Sequence, residues 1–170
     1  NGNYGSGGTS DKYGIALNNE MDDFTTILDQ KNKYGLIQGK ANLVGAGKRP
    51  LSSMSPTIVT KDDKVTLAIG APGGPRIISG VFQGLYRSLY NDLNMEEAIM
   101  APRVHHQFLP DVLYVEQNKF SPDVLRKLKK KGQQIKYISN VAKVCGVKVN
   151  KDGLLEGYTD YRGEAAVSGY

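Results

Sequence analysis

The chain has 170 residues, 39% hydrophobic and 23% charged, with 22 basic and 17 acidic side chains and a net charge of +5. That is enough apolar material for one globular domain with its own core, and no apolar run approaches the ~18 residues that a membrane-spanning helix needs. The single cysteine, Cys145, cannot form an internal disulfide, which excludes a small disulfide-stapled scaffold.

In chain order, Asn1-Gly-Asn-Tyr-Gly-Ser-Gly-Gly8 reads as a loop. With no Met and no signal-like stretch, it reads as the start of a processed or excised piece. Residues 14 to 17 predict a short strand, ended by Asn18-Asn19-Glu20-Met21-Asp22-Asp23, whose Asn and Asp side chains favour turns. Residues 29 to 49, rich in Gly, Asn and Lys, predict an extended surface loop, and a loop of that length is usually functional or covers something. Residues 57 to 60 and 65 to 69 flank Lys61-Asp-Asp-Lys64 and predict a hairpin. Next, Ile77, Ile78, Val81, Phe82, Leu85, Tyr86, Leu89 and Leu93 recur at helical spacing and predict a wide-faced helix packed on the sheet.

Asn94 and Glu97 have the spacing of a capping box for a short helix over 95 to 100, which Pro102 stops. Residues 112 to 116 alternate as a strand, and Ser121-Pro-Asp123 opens a helix that Gly132 closes. Residues 134 to 138, 144 to 149 and 153 to 158 predict strands, the last pair joined at Lys151-Asp-Gly153. Cys145, inside the apolar run Val144-Cys-Gly-Val147, reads as a small buried hydrophobe. With no repeat or linker, the pattern predicts one domain over residues 1 to 170, of α+β class, built as a layered sandwich. The basic excess falls in Arg126-Lys127-Leu-Lys129-Lys130-Lys131, at a predicted helix end where cations complement the dipole. No aromatic residues interleave with it, so it reads as a solvated helix end and no nucleic-acid partner is expected.

Four segments carry possible chemistry. Gly70-Ala-Pro-Gly73-Gly74 is a strand-to-helix turn whose backbone N–H groups suit an oxyanion; it equally serves as a turn that needs glycine's backbone angles alone. Ser52 and Ser53 lie between two prolines, so their hydroxyls are held on a stiff segment and can meet a carboxylate or local backbone. Glu20, Asp22 and Asp23 form an acidic group suited to an ammonium ion, or to a solvated turn. His105-His106 lacks the partner spacing of a metal site, and no metal is expected. Neither a dinucleotide nor a phosphate-loop fingerprint is present, nor a Gly-x-Ser-x-Gly elbow.

Together, Asn18-Asn-Glu20-Met-Asp-Asp23-Phe24, Lys48-Arg-Pro50-Leu-Ser52-Ser53-Met-Ser-Pro-Thr57, Gly70-Ala-Pro-Gly73-Gly74, Ala101-Pro-Arg103-Val-His105-His106-Gln107 and Asp160-Tyr-Arg162 resemble the small subunit of γ-glutamyltranspeptidases, also called glutathione hydrolases. The likeness runs over nearly the whole chain. It implies the N-terminal-nucleophile hydrolase fold, an αββα sandwich of which this chain is the small-subunit part, made when a precursor cleaves itself. It implies transfer or hydrolysis of γ-glutamyl groups, on glutathione and related compounds, through a glutamyl-Thr acyl-enzyme without cofactor. By motif position, Glu20 and Asp23 resemble the residues that hold the glutamyl α-amino group, Ser52 and Ser53 those that bond its α-carboxylate, and Gly73 and Gly74 the oxyanion pair. Asn1 resembles an Asn that also contacts the glutamyl head.

The family's Thr-Thr-His-type opening strand, whose Thr is the nucleophile, has no match here. Thr9, in a Gly-rich loop, does not replace it. The chain alone is therefore expected to be inactive, with the Thr and a large subunit outside it. Ala71 stands where the family has Ser, a change that leaves the turn intact. Two rival readings are a γ-glutamyl-binding scaffold without catalysis and a relative specialised for poly-γ-glutamate. By resemblance to bacterial relatives, the expected location is periplasmic or secreted.

Overall fold

The computed structural model describes residues 5 to 169. The chain divides into two compact units, Asn1–Ser52 and Ser53–Tyr170. In the first, two short strands, β1 (Thr9–Ser10) and β2 (Ile15–Ala16), pair antiparallel. The sequence pattern had predicted only the second of them, because a two-residue strand in a Gly-rich loop leaves no alternation to read. A single 3₁₀ turn follows at Glu20–Asp23, and another at Lys40–Asn42 closes the otherwise irregular loop. That loop is tied down by bridges between Thr25 and Leu43 and between Lys31 and Ile37.

The second unit carries the core. β3 (Thr57–Lys61) and β4 (Lys64–Gly70) form the expected hairpin, with Asp62 and Asp63 both at positive φ in its turn. β4 runs into α1 (Arg76–Tyr90) and α2 (Met95–Met100). The capping box is present: Asn94 accepts from the Glu97 N–H at 2.8 Å, and the Glu97 carboxylate accepts from the Asn94 N–H at 3.1 Å. Then come β5 (Val104–His105), β6 (Leu113–Glu116), α3 (Pro122–Lys130), β7 (Ile135–Ile138), β8 (Cys145–Val149) and β9 (Leu155–Thr159). One antiparallel sheet runs β3-β4-β8-β9; a second runs β5-β6-β7, with β6 and β7 parallel and joined through α3.

Alternation along β4 sends Leu67 and Ile69 to the helix side of the larger sheet. There they meet Ile77 and Val81 of α1, Met95 and Ile99 of α2, and Val144. Burial of each such side chain is worth roughly 1.5–3 kcal/mol, so this cluster fixes where α1 begins relative to the end of β4. The predicted wide face of α1 is only partly buried. Ile78, Phe82, Tyr86 and Leu89 are 45 to 63% exposed, and the helix ends at Tyr90, so Leu93 falls outside it. Helical spacing gives the direction of these side chains and says nothing about what covers them.

Cys145 is exposed, contrary to expectation. The register pairs it with Gly70 on one side and Thr159 on the other, on the sheet face away from the helices, and its Sγ lies 3.1 Å from Thr159 Oγ1. Other side chains of that face, Ile58 and Val147, join the same cross-strand row as Ala68 and are also exposed. The structure is thus α+β, one helix layer on one face of a sheet, with Ile58 and Val147 exposed on the other face.

His105 is buried, with Nδ1 2.8 Å from Ser79 Oγ and Nε2 2.8 Å from Gln107 Oε1. His106 instead faces Asp111 at 3.0 Å. Burial holds the His105 ring below the ordinary 6.5; the Gln107 bond works against this, and the charges of Arg76 and His106 add to it. The unfolded chain takes up this proton more readily than the native one, so the stability is complete above the unfolded value and is lost as pH falls below it. The melting temperature is expected to drop between about pH 7 and about pH 5, with a shallower drop in His105→Gln. Equal slopes in the two proteins would contradict this.

Candidate functional site

The acidic turn is set by local bonds. The Asn18 side chain accepts from the Glu20 N–H at 3.0 Å, the Asp22 N–H reaches the Asn19 carbonyl at 3.0 Å, and the Phe24 N–H reaches the Met21 carbonyl at 3.2 Å. Phe24 and Thr25 are buried just beyond, which anchors the turn and leaves Glu20 and Asp23 half-buried above it. Burial pushes the Asp23 carboxyl above its ordinary range, the adjoining Glu20 adds to this through a hydrogen bond and its charge, and Lys33 works the other way. A cation placed between the two carboxyls relieves that strain, so the pair is suited to an ammonium group. Beside it lies a cavity of about 270 Å³, lined by Asp23, Phe24, Thr25, Lys33, Tyr34 and Gln38 among others.

Ser52 closes the first unit, exposed, and Ser53 opens the second, half-buried. Ser55 bonds the Ser53 carbonyl at 3.2 Å and Thr57 bonds that of Ser55 at 3.0 Å, so these two hydroxyls are satisfied by backbone. Leu51, next to Ser52, donates its N–H to the Asn42 side chain at 2.8 Å.

In the second unit, Gly73 and Gly74 lie between β4 and α1 with φ of 149° and 60°. No side chain caps the α1 N-terminus, where Pro75 is the N-cap residue, so the N–H groups of its first turn have no side-chain acceptor. The turn is backed by residues 141 to 143. The Lys143 N–H donates to the Pro72 carbonyl at 3.2 Å, and a Cβ on Gly73 would stand 2.9 Å from Ala142 Cα.

Residues 141 to 144 are held in turn by a buried ion network that the sequence pattern did not reveal. Glu116 accepts from the Val141 N–H at 2.9 Å and the Arg103 N–H at 3.1 Å, and pairs with Arg162 at 2.6 Å. Asp160 accepts from the Val144 N–H at 3.0 Å and from Arg162 at 2.9 Å, and also pairs with Arg103. The network joins three separate stretches of sequence, and while Arg103, Asp160 and Arg162 lie in recognisable motifs, nothing marked Glu116. Asn42 was likewise missed, since one Asn in a loop carries no signal. Asn1 lies outside the described residues. Among the described residues no cluster of three metal-ligating side chains occurs.

The α+β layering, with a glycine turn at the sheet-to-helix junction and an acidic turn preceding a double serine, defines the class, and comparison with known proteins agrees. A family model for gamma-glutamyltranspeptidase matches residues 1 to 170. The glutathione hydrolase proenzyme of Escherichia coli K12 is 49% identical over 162 residues, covering 95% of this chain. A mutant γ-glutamyltranspeptidase from Helicobacter pylori superposes with a TM-score of 0.89 at 44% identity, covering 96% of this chain and 89% of that one. A γ-glutamyltranspeptidase from Pseudomonas nitroreducens complexed with L-DON gives 0.89 at 38% identity, covering all of this chain and 89% of the other. The chain belongs to the γ-glutamyltranspeptidase family and has its N-terminal-nucleophile hydrolase fold. It spans 28% of the length of the E. coli relative.

Proposed function

We propose that both units together are the small-subunit portion of a γ-glutamyltransferase that transfers or hydrolyses γ-glutamyl groups, with glutathione among its donors. The observation that carries this reading is chemical complementarity in a chain of this family. A carboxyl pair, Glu20 and Asp23, suits the α-amino group; Ser52 and Ser53 suit the α-carboxylate; and Gly73 and Gly74 present backbone N–H groups to the oxyanion of the tetrahedral intermediate. Asn1 adds a contact to the glutamyl head. The attacking hydroxyl belongs to a Thr outside these 170 residues, activated by its own amine, and the acyl-enzyme passes its glutamyl group to water or to an amine. No cofactor enters this chemistry.

The large subunit of the same precursor is the proposed partner, and the exposure of Ile58 and Val147 on the sheet face away from the helices supports it, because the αββα arrangement stacks a second sheet on such a face. The relative from E. coli is named a proenzyme, in keeping with self-cleavage. Among the described residues no helix is long and apolar enough to cross a membrane. Likeness to bacterial glutathione hydrolase proenzymes supports a periplasmic or secreted location as our reading. Expressed as a full precursor with its large subunit, the protein is expected to cleave itself and release glutamate from γ-glutamyl-p-nitroanilide. A cleaved, assembled protein that releases none would overturn the reading.

A further inference from the structure

We infer that Asn42 is a positioning residue: its carboxamide is a strut that fixes the distance between the ammonium-binding and carboxylate-binding parts of the first unit. Its Nδ2 donates to the Asp23 carbonyl at 2.8 Å and to Gln38 Oε1 at 3.0 Å, while its Oδ1 accepts from the Leu51 N–H at 2.8 Å. One planar group thus joins the backbone of Asp23 to that of the residue before Ser52, across 28 positions of sequence (51 minus 23). Asn42 is itself well held. It ends the Lys40–Asn42 3₁₀ turn, and its carbonyl accepts from the Thr25 N–H at 2.9 Å. Lys48 Nζ donates to the Ala41 and Leu43 carbonyls on either side, at 2.8 and 2.7 Å. Thr25 Oγ1 closes the frame on the Gly39 carbonyl at 3.3 Å.

The inference rests on the γ-glutamyl reading and extends it. The α-amino and α-carboxylate groups of a glutamyl donor leave the same carbon, so the groups that grip them must keep a fixed spacing. A residue that touches neither substrate group but bonds the backbone under both sets that spacing. Its loss loosens the grip in the ground state and the transition state alike, which raises KM and leaves kcat in place. A role in folding alone has a different signature, because it lowers the yield of titratable sites and leaves KM and kcat per site unchanged.

The test uses the self-cleaved, assembled enzyme and γ-glutamyl-p-nitroanilide. Asn42→Ala is expected to raise KM by roughly 10-fold or more, with kcat per titrated site within about 3-fold of the parent. Asn42→Asp keeps the acceptor for the Leu51 N–H but turns an oxygen toward the Asp23 carbonyl, and is expected to raise KM as well. KM within about 2-fold of the parent in both variants overturns the inference, as does failure of both to assemble, which would make Asn42 a folding residue. An inactive parent enzyme would instead refute the γ-glutamyl reading itself, so the two failures are distinguishable.

Discussion

Gly73→Ala is expected to cut turnover of a γ-glutamyl donor by ~10³-fold or more, at or above the upper end of what losing one oxyanion donor costs. Two costs combine. Gly73 sits at φ 149°, a backbone region that side-chain-bearing residues rarely adopt, and occupancy there costs on the order of 1–3 kcal/mol. The added methyl would also stand 2.9 Å from Ala142 Cα, which is backbone and cannot rotate aside. Ala142 has little room to retreat. It is buried, it has a positive φ of its own, and its neighbours Val141 and Val144 are bonded to Glu116 and Asp160. The strain is therefore relieved by displacing the turn, and with it the N–H groups of Gly73 and Gly74. Kinetics on the assembled enzyme check this: kcat should fall far more than KM rises, while a variant with near-parental kcat would show that the turn does not hold the oxyanion.

The largest expected loss of stability comes from Asp160→Ala. Arg103, Glu116 and Asp160 are almost wholly buried, and Arg162 retains 3% side-chain exposure. Removing one carboxylate leaves two guanidinium groups sharing Glu116 and strips the Val144 N–H of its acceptor. Breaking such a buried set costs roughly 3–5 kcal/mol, a large part of a typical domain's stability of ~5–15 kcal/mol. Denaturant titration measures it, and a change below about 1 kcal/mol would contradict the assignment.

The same carboxylate predicts a pH dependence. Burial works to raise the Asp160 carboxyl, but bonds from Arg103, Arg162 and two backbone N–H groups outweigh it and hold it below the ordinary 3.8. Its stabilising contribution is therefore intact above the unfolded value and disappears as pH falls through the lower native one. The parent should lose stability below about pH 4 more steeply than Asp160→Asn.

What was legible in the sequence was local. The β3–β4 hairpin, α1 with its glycine opening, and the Asn94 and Glu97 capping box each depend on residues within a few positions of one another, and all three formed as expected. Cys145 was misjudged because an apolar run tells that a strand is present and not which sheet face is covered. The same limit applies to α1, where Ile77 and Val81 are buried while Ile78 and Phe82 are not. The acidic turn, the double serine and the glycine pair could be named from motifs. The groups that hold them in place, Asn42 for one unit and the Arg103, Glu116, Asp160 and Arg162 network for the other, converge only once the chain is folded.

The central claim is that this chain supplies the grip on the glutamyl head group. It is tested most directly by comparing γ-glutamyl-p-nitroanilide with glutaryl-p-nitroanilide, identical except that the α-amino group is missing, on the assembled enzyme. If Glu20 and Asp23 hold that amine, kcat/KM for the glutaryl compound should be lower by at least ~100-fold, because two half-buried carboxyls are left without their cation. The penalty should shrink in a Glu20→Gln, Asp23→Asn double variant. Equal turnover of the two anilides by the parent would contradict the account.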